Sequence, residues 1–233
     1  MGYHVVVLRI ESSRMRYRYA LFLLLTVFAS CRKYGCLDPF ATNYDSSARV
    51  SNNDCIYPPP DDCLAFEDFR DGKRYRTVRI GDKCWMAENL NYKSSDSWCY
   101  DDDSANCAKY GRLYRGGRAR EVCPEGWHLT TLSEWLELIE QFGEIDSAWS
   151  ALIPGGISGL DIMPSGQNEW AGPHLPKYFY NDLGKAAFLW TSSDYSTGSF
   201  DIPYRVIVSH ADTIISIDIA AGVHGCGCRC VRD

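Results

Sequence analysis

Eleven cysteines in 233 residues constrain this chain more than any other feature. Cytosolic thiols stay reduced and are usually few, whereas an exported chain can use them as cross-links. The count is odd, so one cysteine has another task. The N-terminus agrees with export. Ala20 to Ser30 is an apolar run of about 11 residues, too short to cross roughly 30 Å of hydrocarbon as a helix. Arg14, Arg16 and Arg18 precede it and small residues close it, which is the order of a signal peptide over residues 1–30. Met15 offers an alternative start.

The run ends F-A-S-C, which resembles the lipobox of bacterial lipoproteins. The resemblance implies that Cys31 is acylated and anchors the chain to a membrane, lastingly if more than one acyl chain is added. Setting Cys31 aside leaves ten of the 11 cysteines, an even number that can pair. The alternative is an ordinary secretory signal with Cys31 as a disulfide partner. An outer-membrane location is expected. Arg32 and Lys33 follow the anchor without an acidic tract, so the periplasmic and extracellular faces stay open.

The chain is 45% hydrophobic, enough for one sizeable core and a small extra module. Its formal net charge is -6, and no Lys/Arg-rich stretch follows the signal. That argues against a nonspecific nucleic-acid binder, which needs clustered cations to neutralise phosphates. The aromatic share of 13% suits a β-rich core and equally suits stacking on sugar rings.

Residues 31–57 form a lipidated start and a small loop. G-C-L-D-P-F-A-T-N-Y-D…D-C-I-Y resembles a short cysteine-bounded repeat of secreted and surface proteins, with Gly35, Cys36, Asp38, Ala41, Asn43, Tyr44, Asp45, Asp54, Cys55 and Tyr57 at the matching positions. The resemblance implies a Cys36–Cys55 bridge, contributing roughly 3 kcal/mol on the chain-entropy model. Asp38, Asn43, Asp45, Asn53 and Asp54 could surround Ca²⁺. Turn chemistry is the favoured reading, because the D-x-D-x-D-G spacing is absent. Pro58 to Asp62 then reads as a stiff linker.

The main domain spans 63–233. Tyr75 to Ile80 alternates as a strand, Gly81-Asp82 marks a turn, and Lys83 to Met86 would return as a hairpin. Thr131 to Phe142 is the clearest helix, with Leu132, Trp135, Leu136, Ile139 and Phe142 on one face. Thr131 and Glu134 fit a capping box, and Gly143 fits the stop. Gly- and Pro-rich sequence then runs to Phe188 and reads as loop. Tyr204–Ser209 and Thr213–Ile219 are strand-like.

Several ordered motifs here are D-x-R-D-G-x-x-Y-x-T-V-x-I-G-x-x-C-W-M-A-E-N-L-N-Y, C-A-K-Y-G-R-L-Y, C-P-x-G-W-H-L-x-x-x-x-E-W, W-T-S-S and the closing R-C-V-R-D. Together they resemble the Fibrobacter succinogenes major paralogous domain over roughly residues 63–233. The resemblance implies an α+β, C-type-lectin-like fold with antiparallel sheets, one main helix, long loops and terminal strands that meet. It supplies no reaction. With it come the preferred pairs Cys63–Cys84, Cys99–Cys107 and Cys123–Cys230. Cys226 and Cys228 remain, and could bridge each other in a tight ring. The alternative for them is a metal site with His224 and Cys230, at alternate positions of a strand.

No G-x-S-x-G elbow, H-E-x-x-H or Walker loop is present, and no catalytic residue is assigned. His128 reads as structural. The E-P-N, Q-P-D and W-N-D motifs of calcium-dependent lectins are missing too. A ligand surface is expected on the Ser158–Tyr180 loops, where Trp170, Tyr178, Phe179 and Tyr180 supply aromatic rings. The expected function is a membrane-anchored binding module for a glycan or surface protein, without a cofactor. The alternative is a structural subunit of a surface assembly; an enzyme ranks third.

Overall fold

A computed structural model describes residues 32–39, 41–56, 63–172 and 178–232. The expected signal segment, Cys31 as the expected acylation site, and the expected Pro58–Asp62 linker lie outside the described residues. The chain separates into two compact units, 1–61 and 62–233.

In the first unit, β1 (Tyr34–Gly35) and β2 (Val50–Ser51) pair in parallel, and Cys36–Cys55 closes the loop. Two of the residues considered for Ca²⁺, Asn43 and Asp45, are engaged locally. Asn43 donates to the Asp54 carbonyl and accepts from Ile56 N–H, and Asp45 binds Lys33 at 2.8 Å. Among the described residues no group of three or more side chains is placed to hold a metal.

The second unit is α+β. Its antiparallel front hairpin is β3 (Phe66–Asp68) with β4 (Lys73–Tyr75). The D-F-R-D-G motif builds the turn. Asp68 is fully buried and receives both edges of the Arg70 guanidinium, at 2.8 and 2.6 Å, which is the strong bidentate form. The predicted strand from Tyr75 breaks at Arg76, so that β5 (Thr77–Ile80) starts a separate hairpin with β6 (Lys83–Met86). The terminal strand β16 (Cys230–Arg232) pairs with both β6 and β9 (Trp127–Leu129). The first and last parts of the domain therefore meet.

A larger sheet has the order β14-β13-β12-β10-β15-β8-β7, with β11 also paired to β10. These strands are β7 (Ser97–Trp98), β8 (Leu113–Arg115), β10 (Ser165–Trp170), β11 (Tyr178–Leu183), β12 (Ala186–Ser196), β13 (Asp201–Ser209), β14 (Ile214–Ile219) and β15 (Gly225–Cys226). Its strands are antiparallel except where β10 meets β12. The apolar run of β12 alternates between two cores. Ala187 and Leu189 face one with Trp85, Trp135, Val206 and Val231, while Phe188 and Trp190 face another with Met86, Leu90 and Tyr114.

The helices are α1 (Ser104–Tyr110), α2 (Gly116–Ala119), α3 (Leu132–Gln141) and α4 (Ile145–Leu152). The Thr131–Glu134 capping box forms in full. None among the described residues is long and apolar enough to cross a membrane. Two expectations need correction. The stretch after Gly143 is no continuous loop, for it holds α4, β10 and β11. Ala148, Ala151 and Leu152 bury one face of α4. The Cys226–Cys228 ring does not form either. Both thiols are free and buried. The chain is extended at Gly225–Cys226 and continues as a bridge at Gly227. An extended chain advances about 3.3 Å per residue, which sets alternate β-carbons too far apart for a disulfide.

Candidate functional site

A cleft of about 720 Å³ opens in the second unit, within the usual size range of ligand sites. Three separate motifs contribute to it, beside Lys73 to Arg76 and the segment from Pro154 to Met163. A-E-N-L-N contributes Ala87, Glu88, Asn89 and Asn91. C-A-K-Y-G contributes Cys107 to Gly111, and the closing R-C-V-R contributes Arg229.

Arg229 anchors the floor. It is fully buried and donates from Nη1 to the carbonyls of Met86 and Leu160 at 2.9 and 2.8 Å, and from Nε to Asn89 Oδ1 at 2.7 Å. Burial pushes its guanidinium down to about 9, which leaves it charged at neutral pH. Asn89 passes the restraint on, since its Nδ2 donates to the Tyr110 carbonyl at 3.0 Å. Leu90 N–H donates to the Cys228 carbonyl and Arg112 N–H to that of Leu90. The end of α1 is thus fixed to the terminal segment, and Cys99–Cys107 pins the same helix. Gly111 stops it at φ +78°. A β-carbon there would stand 2.6 Å from the Asn89 β-carbon and 2.8 Å from its carbonyl oxygen, so only glycine permits this approach.

The rim is polar. Arg76 bridges two carboxylates, Glu88 at 2.9 Å and Asp161 at 3.1 Å. Asp161 also accepts from Gly155 N–H at 2.8 Å. That bond, opposed by partial burial and aided by Arg76, holds its carboxyl below the ordinary range. Tyr75 accepts from Asn91 N–H at 3.0 Å, and burial raises its phenol to about 12. Lys73, Arg74 and Lys109 complete the basic side.

The aromatic residues singled out from the sequence lie elsewhere. Trp170, Tyr178, Phe179 and Tyr180 sit on the β10–β11 strand pair, not on loops, and none lines the cleft. Tyr178 packs on Trp98 with centroids 5.0 Å apart. Tyr180 packs on Tyr100 at 5.1 Å and donates to Asp102 at 2.7 Å. Phe179 is exposed. Cys63–Cys84 and Cys123–Cys230 are formed. Cys230 is therefore unavailable as a thiolate ligand, which removes the His224, Cys226, Cys228 and Cys230 metal set. His224 instead accepts from Trp170 N–H at 3.2 Å. His128 lies 3.0 Å from Glu134, inside the capping box of α3. The cleft itself escaped sequence reasoning, although its motifs were visible. Their convergence depends on pairings distant in sequence, such as Arg229 with Asn89.

A disulfide-tied α+β domain with a polar, basic cleft is the class that this fold and site define. The chain belongs to the Fibrobacter succinogenes major domain family, whose profile matches residues 78–232. No curated protein and no solved structure matches it.

Proposed function

We propose that the chain is a membrane-anchored binding module of the bacterial envelope or surface, held by a lipid on Cys31, with a glycan or surface protein as ligand. The observation that carries this reading is the cleft. Its floor is preorganised by Arg229, Asn89 and Cys99–Cys107, so little ordering cost remains when a ligand enters. The C-type-lectin-like arrangement belongs to the same proposal, supported by the pairing of β16 with β6 near the domain's two ends.

Binding is preferred to catalysis for a physical reason. Acid–base pairs need carboxyl groups held in different protonation states. Here Glu88 and Asp161 are tied to the same arginine, so the geometry sets neither apart as an acid facing a base.

The test uses the mature chain on an array of surface glycans and on solubilised envelope proteins. Ala108 lines the cleft and is exposed. An Ala108→Trp variant should fill the space, lose ligand retention at least tenfold and keep the parent's unfolding midpoint. Retention undiminished in that variant would show that the cleft is not the binding site.

A further inference from the structure

The cleft has a charge opposite to that of the chain. The sequence carries a formal net charge of -6, yet the lining sets Lys73, Arg74, Arg76, Lys109 and Arg229 against only Glu88 and Asp161. Arg229 is committed to carbonyl oxygens below the floor. Lys73 pairs with Asp71 at 3.2 Å and also donates to the Asn91 carbonyl, and Arg74 pairs with Glu67 at 3.5 Å. The lysine and arginine of these pairs are well exposed, so the pairs are weak and exchangeable. Lys109 differs. Its ammonium stands 4.8 Å from the centre of the Tyr110 ring, and no carboxylate among the described residues pairs with it. It is a cation held beside an aromatic face, open to an incoming anion.

The rest of the lining narrows the chemistry. Glu88 and Asp161 are hydrogen-bond acceptors on the same rim. They would repel a ligand that is anionic throughout, and they suit hydroxyl groups. The Tyr110 ring, with Ala108 and Met163, offers apolar surface for a sugar's C–H face. A ligand that meets all three demands carries isolated carboxylates among hydroxyls on rings.

We infer that the cleft takes a carboxylate-bearing oligosaccharide of the uronic-acid type, with a carboxylate on Lys109 and hydroxyls toward Glu88 and Asp161. This rests on the reading of the cleft as a binding site.

Calorimetric titration of the mature chain decides it, with four probes: tetragalacturonate, its methyl ester, a neutral cello-oligosaccharide and octaglutamate. Tetragalacturonate should bind, more weakly at higher salt. The ester should bind at least tenfold more weakly. Lys109→Ala should lose about tenfold, as expected for one charge-assisted hydrogen bond. Lys185→Ala, an exposed change outside the cleft, should alter nothing. Equal binding of the ester or the neutral sugar overturns the inference while the binding-module reading stands. Binding of octaglutamate alone overturns it in favour of a protein ligand. Failure of all four probes also overturns it, and the Ala108→Trp comparison then shows separately whether the cleft binds anything else.

Discussion

A buried guanidinium needs partners, and each nitrogen of Arg229 finds one among carbonyl oxygens and one side-chain amide. Its neighbours Cys226 and Cys228 present the opposite case: they are fully buried thiols without a bridge. Burial raises the Cys226 thiol to about 12, against a smaller pull from Arg205, and drives Cys228 well above its ordinary value. Thiolates are the reactive form, so both should be inert in the folded protein. Titration with a thiol reagent at pH 8 should find no reactive group in the native chain. It should find two after unfolding without reductant, if Cys31 is acylated. Zero after unfolding would mean that Cys226 and Cys228 are oxidised to each other after all. The sequence presented these cysteines as a question of pairing by count. Only the extended backbone around Gly227 answers it, and backbone extension is invisible in a G-C-G-C-R-C string.

At the level of elements, legibility followed local physics. α3 could be read because its cap and its stop are encoded within a dozen neighbouring residues; its apolar face was read only in part, for Leu136 is exposed and Leu138, not singled out, is buried beside Trp135. α4 was missed although Ala148, Trp149 and Leu152 keep helical spacing; small alanines mute the apolar signal in a Gly-rich setting. β10 reads S-G-Q-N-E-W, and Ser165 to Asn168 are buried there because the strand lies between others. Tertiary position overrode propensity. Glu134 shows what the legible cap does energetically. Burial works to raise its carboxyl, but Thr131 N–H and His128 outweigh it and hold it below its ordinary 4.5. A carboxyl depressed in the folded state stabilises fully above its unfolded value, and that contribution is lost as the pH falls through the folded value. Glu134→Gln keeps a residue that fits the capping box but removes the charge facing His128 and Lys83, and should therefore cost about 1 kcal/mol at pH 7. The difference should shrink below pH 4.5. Urea unfolding of both chains at pH 7, 5 and 3 checks this; a difference independent of pH would assign the effect to packing instead.

Over the whole domain, the C-terminal segment organises what the local elements cannot. β16 lies between β6 and β9, Arg229 enters the cleft floor, and Cys230 reaches back to Cys123 across a separation of 107 residues. These are contacts of long sequence range, so the cleft cannot be complete until the chain's last strand is in place. If cross-links act mainly on the unfolded chain, their contributions should follow loop length. The chain-entropy relation gives about 4.7 kcal/mol for Cys123–Cys230 and roughly 2.5 kcal/mol for Cys99–Cys107, whose separation is 8. Replacing each pair by alanines, and unfolding in urea without reductant, should reproduce that order. The Cys99→Ala/Cys107→Ala chain should also loosen α1 and weaken ligand capture more than its small stability loss suggests, because Lys109 and Tyr110 ride on that helix. A larger stability loss from the short loop than from the long one would show that native packing around α1, rather than unfolded-state entropy, sets what the bridges contribute.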